Sequence, residues 1–364
     1  MTTDPELSVI LPCRNEAAAL PICLQQIRTV IAEHQLDAEV IVSDSSVDRS
    51  PEIARSFGAI LVKHDQLGYG RAYLAGFEVA AGRYLFLADA DGTYDFKEIP
   101  RFLSELRAGA DLVIGDRFRG RIESGAMPWL HRRVGNPALS FLFRLFFRSP
   151  VRDVHCGLRA ISRSALARLN LRATGMEFAS EMIITAVNQK LKIKELAIDY
   201  HRRLGRSKLR SWPDGWRHLR FMLMFAPDYL FFGPGGLLIL AGLGAFAIWS
   251  ANASYGAFMF LLGWQIIFLG LFTKTYMKVS GFIKEDRLVE WLARHLRFET
   301  GLLVGLIFLL LSLSLKLGLV FEGARRILVW PADTVIILGL TLAVFGVQAM
   351  FASFLISILL VAKK

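Results

Sequence analysis

The sequence predicts an α/β domain on a mostly parallel, Rossmann-like sheet, followed by a C-terminal bundle of four transmembrane helices. Two observations carry that expectation. Over the first two hundred residues, short apolar β-branched runs alternate with helical stretches, the βαβ rhythm of a parallel sheet covered on both faces. Beyond them, Tyr229 to Thr273 contains no charged residue, room for two spans of about 20 residues and a turn between them. The chain's 54% hydrophobic content and mean hydropathy of +0.41 come from this tail, because the preceding part has an ordinary mixture of charge and apolar periodicity.

The elements follow in order. Strands are expected at Leu7 to Leu11, Glu39 to Ser43, Ile60 to Lys63 and Tyr84 to Ala88, separated by helices at Glu16 to Glu33, after Asp48, and at Gly70 to Ala81. A helix at Phe96 to Arg107 and a strand at Asp111 to Gly115 continue the rhythm, and an apolar helix follows at Pro137 to Phe147. The last soluble elements are a strand near Leu158 to Ser162, a helix at Glu177 to Lys190 and a strand at Ile193 to Tyr200. Trp212, Trp216, Leu219 and Leu223 recur at helical spacing, so residues 210–228 read as an amphipathic helix lying in the membrane interface, with a packing face against the soluble domain as the alternative. Residues 1–209 are then the catalytic domain and 229–364 the membrane domain, with a second amphipathic segment inside 274–298.

Lysine and arginine set the expected orientation. Arg202, Arg203, Arg206, Lys208, Arg210, Arg217 and Arg220 precede the first span; Lys274, Lys278, Lys284, Arg287, Arg294 and Arg297 lie between the second and third; Lys363 and Lys364 end the chain. The turn after the first span has no basic residue, and Lys316, Arg325 and Arg326 accompany the third. The bias places the catalytic domain and both termini in the cytoplasm of a multi-pass membrane protein. The net charge of +11 is concentrated beside the spans, which favours anionic headgroups and a phosphorylated lipid over nucleic acid. Cys13, Cys23 and Cys156 show no metal-ligand spacing and read as free thiols in a reducing compartment.

Chemistry gathers at the ends of the strands. In open sheets of this kind ligands bind beyond the carboxyl ends. Asn15 with Glu16, Asp44, and Asp89-Ala90-Asp91 fall there from three different strands. Asp89 and Asp91 offer two hard oxygen ligands one residue apart, suited to Mg2+ or Mn2+ on a nucleotide diphosphate. Ser45, Ser46 and Asp48 leave a cap for the following helix as the alternative role of the Asp44 cluster.

Together these residues resemble the family-2 glycosyltransferases, and among them the polyprenyl-phosphate hexose synthases of the dolichyl-phosphate mannose synthase type. The likeness rests on Val9-Ile-Leu-Pro12 with Asn15-Glu16, Val42-Ser-Asp44-Ser-Ser46 with Asp48, Gly68-Tyr-Gly70-Arg-Ala72 with Gly76, and Asp89-Ala-Asp91. It continues through Gly115-Asp-Arg117, Asp153, Cys156-Gly-Leu-Arg159, Glu181, and Arg202 with Gly205-Arg-Ser-Lys208. The resemblance implies a GT-A fold for the catalytic domain. It implies a donor site of Pro12, Asn15, Glu16, Asp44, Gly70, Asp89, Ala90 and Asp91, with metal on Asp89 and Asp91. Arg117, Arg132, Arg202, Ser207 and Lys208, with Glu181, are implied around the acceptor phosphate, and Asp91, Asp153 and Arg117 in catalysis. His155, the other base by type, reads as a packed loop histidine.

The implied reaction is a metal-dependent, inverting transfer of mannose or glucose from a nucleotide sugar of the GDP-mannose or UDP-glucose class to a polyprenyl phosphate. The bilayer of a bacterial or archaeal plasma membrane would be its setting, with the spans also offering a surface for self-association. Two departures leave the donor open: Ser43-Asp44 stands where an Asp-Asp pair is common, and Thr93 where the mannose synthases commonly carry glutamine. Transfer to another membrane lipid and a catalytically inactive lipid-binding or flipping protein are the alternatives. A processive polysaccharide synthase is disfavoured, because no Gln-x-x-Arg-Trp string occurs.

Overall fold

The computed structural model describes residues 4–205, 211–248, 253–281, 283, 286–295, 298–320 and 331–361. It divides into two units, Met1–Phe225 and Ala226–Lys364. In the first, seven strands, β1 (Leu7–Cys13), β2 (Ala38–Asp44), β3 (Ile60–Lys63), β4 (Tyr84–Leu87), β5 (Leu112–Asp116), β6 (Arg159–Ser162) and β7 (Ile193–Ala197), form one sheet. Their order is β3-β2-β1-β4-β6-β5-β7. β1, β2, β3 and β4 run parallel. β6 is antiparallel to both β4 and β5, and β5 is parallel to β7. Six strands therefore point one way, and the expected mostly parallel sheet has one reversed member at Arg159–Ser162. The GT-A-type α/β fold is the one the sequence predicts.

Helices α1 (Leu20–Glu33), α2 (Ser50–Ser56), α3 (Tyr69–Val79), α4 (Ile99–Arg107), α5 (Asn136–Phe147), α6 (Arg163–Leu169), α7 (Phe178–Asn188) and α8 (Ser211–Met224) complete this unit. Several begin where local chemistry dictates. Proline lies in the first turn of α1, α2, α4 and α5, where its missing N–H costs nothing. Ser162 accepts the backbone N–H of Ala165 to cap α6. β1, β4 and β5 are buried along nearly their whole length, as strands covered on both faces must be.

The second unit holds α9 (Gly233–Ile248), α10 (Ala253–Val279), α11 (Arg287–His295), α12 (Phe298–Val320) and α13 (Ala332–Val361). Four stretches, Asp228–Phe246, Ala253–Val279, Phe298–Leu319 and Ala332–Leu360, are long and apolar enough to cross a membrane. Small residues bring them together: a Cβ on Gly242 would lie 2.7 Å from the Gly256 carbonyl oxygen, and one on Gly263 2.6 Å from that of Gly235. Gly305 and Gly346 play the same part between α12 and α13. Gln265 of α10 and Gln348 of α13 share a hydrogen bond of 2.9 Å, and Phe345 packs on Trp264 and Phe268.

Candidate active site

The parallel register brings the carboxyl ends of β1, β2 and β4 to one rim. Cys13 lies opposite Asp44 and Ile10 opposite Leu87, so residues 12–16, 44–48 and 89–93 leave the sheet side by side. The first two loops are laced together. Asn15, at φ 52°, donates its backbone N–H to Ser46 Oγ at 2.7 Å and accepts from Val47 N at 3.0 Å. Glu16 N donates to Ser50 Oγ and Ala17 N to Asp48. Asp44 is fully buried and accepts from Ser46 N at 3.1 Å and Ser46 Oγ at 2.5 Å. Asp48, rather than Asp44, bonds Ser50 at the start of α2. The half-buried Pro12 borders the same edge.

Asp89 and Asp91 are held differently. Burial first, and the Asp91 carboxylate second, push Asp89 up to about 7, against a hydrogen bond from Tyr69. Gly157 walls its other side: a Cβ there would lie 2.7 Å from Asp89 Oδ2 and about as close to the Tyr94 and Tyr69 hydroxyls. Asp91 Oδ1 accepts from both Thr93 N at 3.0 Å and Thr93 Oγ1 at 2.6 Å. Thr93, the departure from the glutamine pattern, thus orients Asp91. Asp91 Oδ2 meets Arg203 Nη1 at 3.1 Å, and Arg203 Nη2 reaches Glu16 Oε1 at 2.5 Å. Ala90 between the two aspartates is buried, and Gly92 after them takes φ +78°, a conformation that favours glycine.

These residues fit a divalent cation. Two hard carboxylates stand together, one with a pKa raised by burial and by its acidic neighbour. Among the described residues no group of three or more His, Cys, Asp or Glu forms a protein-only cage. That is the donor set of an ion that takes its remaining ligands from substrate phosphates and water.

On the neighbouring strand end, Arg117 and Asp153 are each other's partners. Asp153 accepts from Arg117 N at 3.1 Å, Nε at 2.7 Å and Nη2 at 2.8 Å, with both side chains buried. The guanidinium also lies over Tyr200, 5.2 Å from the ring centroid. Its Nη1 makes no hydrogen bond among the described residues.

The other expected phosphate-binding residues do not all converge. Arg132 is exposed on the π-turn His131–Gly135 that leads into α5. Arg202 is exposed and bonds, through its backbone N–H and Nε, to Glu123 and the Ser124 carbonyl. Glu181 accepts the backbone N–H groups of Arg172 and Ala173 and so shapes the 171–175 loop. The space at Gly70 is taken by that loop: a Cβ would lie 2.1 Å from the Ala173 carbonyl oxygen. The Cβ side of Gly70 is thus closed by protein backbone. Ser207 and Lys208 lie outside the described residues.

Three residues gain importance only here. Arg203 looked like one basic residue among many. Gly157 and Arg159 stood in a motif with no role of their own. Arg159 is buried and donates to the carbonyls of Val154, Cys156 and Ala179, fixing the loop that brings Gly157 against Asp89. His155 is the packed histidine expected: its ring lies 4.4 Å from that of His218 on α8, whose Nδ1 shares a hydrogen bond with Ser180 Oγ at 2.9 Å.

Comparison with known proteins gives this fold, with its acidic rim and its four helices long and apolar enough to cross a membrane, its class. Residues 8–169 match glycosyl transferase family 2, and residues 271–360 match the glycosyltransferase family 2 C-terminal transmembrane region. The chain is 40% identical over 370 residues to the low-salt glycan biosynthesis hexosyltransferase Agl6 of Haloferax volcanii, covering 97% of this chain and 88% of that one. A dolichyl-phosphate hexose transferase of the same organism is 32% identical over 214 residues, 58% of this chain and 90% of the relative. Among solved structures, glucosyl-3-phosphoglycerate synthase from Mycobacterium tuberculosis, in complex with Mn2+, UDP-glucose and phosphoglyceric acid, aligns with a TM-score of 0.50 at 20% identity. That alignment covers 61% of this chain and 80% of the other and speaks to fold alone. The protein belongs to glycosyltransferase family 2. It is an enzyme and a membrane protein, which retires the reading of an inactive lipid-binding or flipping protein.

Proposed function

We propose that the enzyme transfers a hexose, mannose or glucose, from a nucleotide sugar to the phosphate of a polyprenyl phosphate, with inversion and with Mg2+ or Mn2+. The observation that carries the donor half is the rim itself: Glu16, Asp44, Asp89 and Asp91, from three strands, meet at one edge. Asp44, buried at the base of the same edge, is assigned to the nucleoside with Pro12 and Asn15, and Asp89 and Asp91 are the residues that would hold the cation. When bound, the ion supplies positive charge for the departing diphosphate.

The acceptor phosphate attacks the anomeric carbon, the new C–O bond forms as the bond to the diphosphate oxygen breaks, and the diphosphate leaves with the electron pair. A phosphate monoester with a second pKa of ~6 is already largely deprotonated at neutral pH. No strong base is needed, and Asp153 instead holds Arg117 in place as a cation for the incoming phosphate.

A lipid acceptor is supported by one helix face. Leu130, Val134, Phe141 and Leu145 recur at helical spacing along the π-turn and α5 and are all exposed, with Trp129 beside them 71% exposed. Arg132, Arg133, Arg144, Arg148 and Arg152 accompany them, and no acidic residue lies between Glu123 and Asp153. An exposed apolar stripe flanked by arginines alone is the pattern of a helix on an anionic lipid surface. The name of the dolichyl-phosphate hexose transferase relative agrees with such an acceptor.

The test supplies polyprenyl phosphate and labelled GDP-mannose or UDP-glucose to purified enzyme in proteoliposomes. Label should pass to lipid with Mg2+ or Mn2+ and stop with EDTA, and Asp91→Asn should lower the rate about a hundredfold or more. No transfer from any common hexose donor would overturn the acceptor reading. EDTA-insensitive transfer would overturn the metal.

A further inference from the structure

Arg203 occupies the place that the rim's chemistry assigns to a cation. Thr93 uses one carboxylate oxygen of Asp91, and Arg203 takes the other while bridging to Glu16. The segment that delivers it is tied to the rim by two backbone bonds, His201 N to the Thr93 carbonyl at 3.0 Å and Leu204 N to the Asp91 carbonyl at 2.9 Å. Leu204 packs on Gly92, where any side chain would crowd it. The guanidinium is therefore aimed, not merely nearby. Yet it is incompletely satisfied: its Nε is buried and has no hydrogen-bond partner. A buried charged N–H without an acceptor is costly, and its natural complement is a further anion.

Resting on the donor-site reading above, we propose that Arg203 is a resident counter-cation that couples metal binding to nucleotide binding. Without donor it neutralises Glu16 and Asp91 and competes with a divalent cation for Asp91 Oδ2. A guanidinium and a metal ion on the same oxygen repel each other strongly in a partly buried site. Metal alone therefore binds weakly. A nucleoside diphosphate brings the oxygens that Arg203 lacks, so its guanidinium moves from Asp91 to the diphosphate and the cation gains its second carboxylate. The protein then takes up metal and nucleotide as a pair, and the linkage is reciprocal.

Free Mn2+ measured by electron paramagnetic resonance, on the full-length protein in nanodiscs, tests this. For the wild type, UDP or GDP should tighten Mn2+ binding. Arg203→Ala should tighten the binding of Mn2+ alone by about tenfold, the scale of one lost charge-assisted competitor, and shrink the extra gain from nucleotide. Arg203→Lys, which keeps the charge but cannot fork across both carboxylates, should fall between. A variant that was merely misfolded would lose Mn2+, so the expected gain separates the two cases. Thermal melting gives a second readout, Arg203→Ala melting lower than wild type without metal and recovering when Mn2+ is added. If Arg203→Ala binds Mn2+ alone no better than wild type while Asp91→Asn loses it, the counter-cation role is overturned and the donor site stands. If neither Asp89→Asn nor Asp91→Asn changes Mn2+ binding, the donor-site reading fails and this inference falls with it.

Discussion

Asp153 shows why single residues here need two measurements. It is buried in a three-bond pair with Arg117, and removing one partner of such a pair costs about 3–5 kcal/mol because the other charge is stranded. Lost activity in Asp153→Asn reports on acceptor binding only when the melting temperature is measured beside it. His155 carries a cleaner prediction. Burial, with His218, Arg117 and Arg159 nearby, holds its pKa well below the ordinary 6.5. The native ring stays neutral while the unfolded chain takes up a proton below pH 6.5, so the unfolded state binds more protons and stability falls as the pH drops through that value. His155→Phe should therefore lose less stability than wild type between pH 7.5 and 5.5 in denaturant titrations. An equal loss would place the acid sensitivity elsewhere.

At the scale of elements, the α5 face and the reversed strand matter most. The stripe through Leu130, Val134, Phe141 and Leu145 leaves four large apolar side chains exposed along one helical face, Phe141 at 57%. Phe141→Glu should reduce transfer to polyprenyl phosphate in proteoliposomes several-fold while leaving Mn2+ and nucleotide binding intact. Equal losses in both would mean that α5 acts through the donor site. β6 has a related logic. Inserted between β4 and β5 and running against both, it begins with Arg159, and the loop before it carries Gly157 to Asp89. A parallel strand in that position would enter from the opposite edge of the sheet, and the loop that precedes it could not wall the aspartates.

For the whole molecule, the basic residues beside the spans predict topology. With Lys274 and Lys278 at the end of α10, and α11 carrying Arg287 and Arg294, the loop between the second and third spans is expected in the cytoplasm and the turn between the first and second outside. The native thiols, Cys13, Cys23 and Cys156, are all buried, so an introduced cysteine can be read against a low background. In intact cells a membrane-impermeant maleimide should label Ser254→Cys and spare Ser280→Cys. The reverse pattern would invert the orientation. Lys274 itself is not free to mark a loop: it bonds Asp228 at 2.7 Å and Asp286 at 3.0 Å and joins the ends of two apolar helices.

By itself the sequence determined the α/β class, the four apolar spans, the family, and the arrival of Glu16, Asp44, Asp89 and Asp91 at strand ends. The class, the spans and the strand-end residues follow from local period, length and charge, which need no knowledge of partners, and the family from the resemblance of the motifs. Only the tertiary structure decided the reversal of β6, the Arg117–Asp153 pairing, the use of the Gly70 space by the 171–175 loop, and the choice of Arg203 over Arg202 at the rim. Arg202 and Arg203 are adjacent and chemically alike. Two backbone bonds to residues 91 and 93 turn one inward to Asp91 and leave the other on the surface. Such choices depend on contacts between segments from 36 to more than a hundred residues apart, and composition and periodicity carry no trace of them.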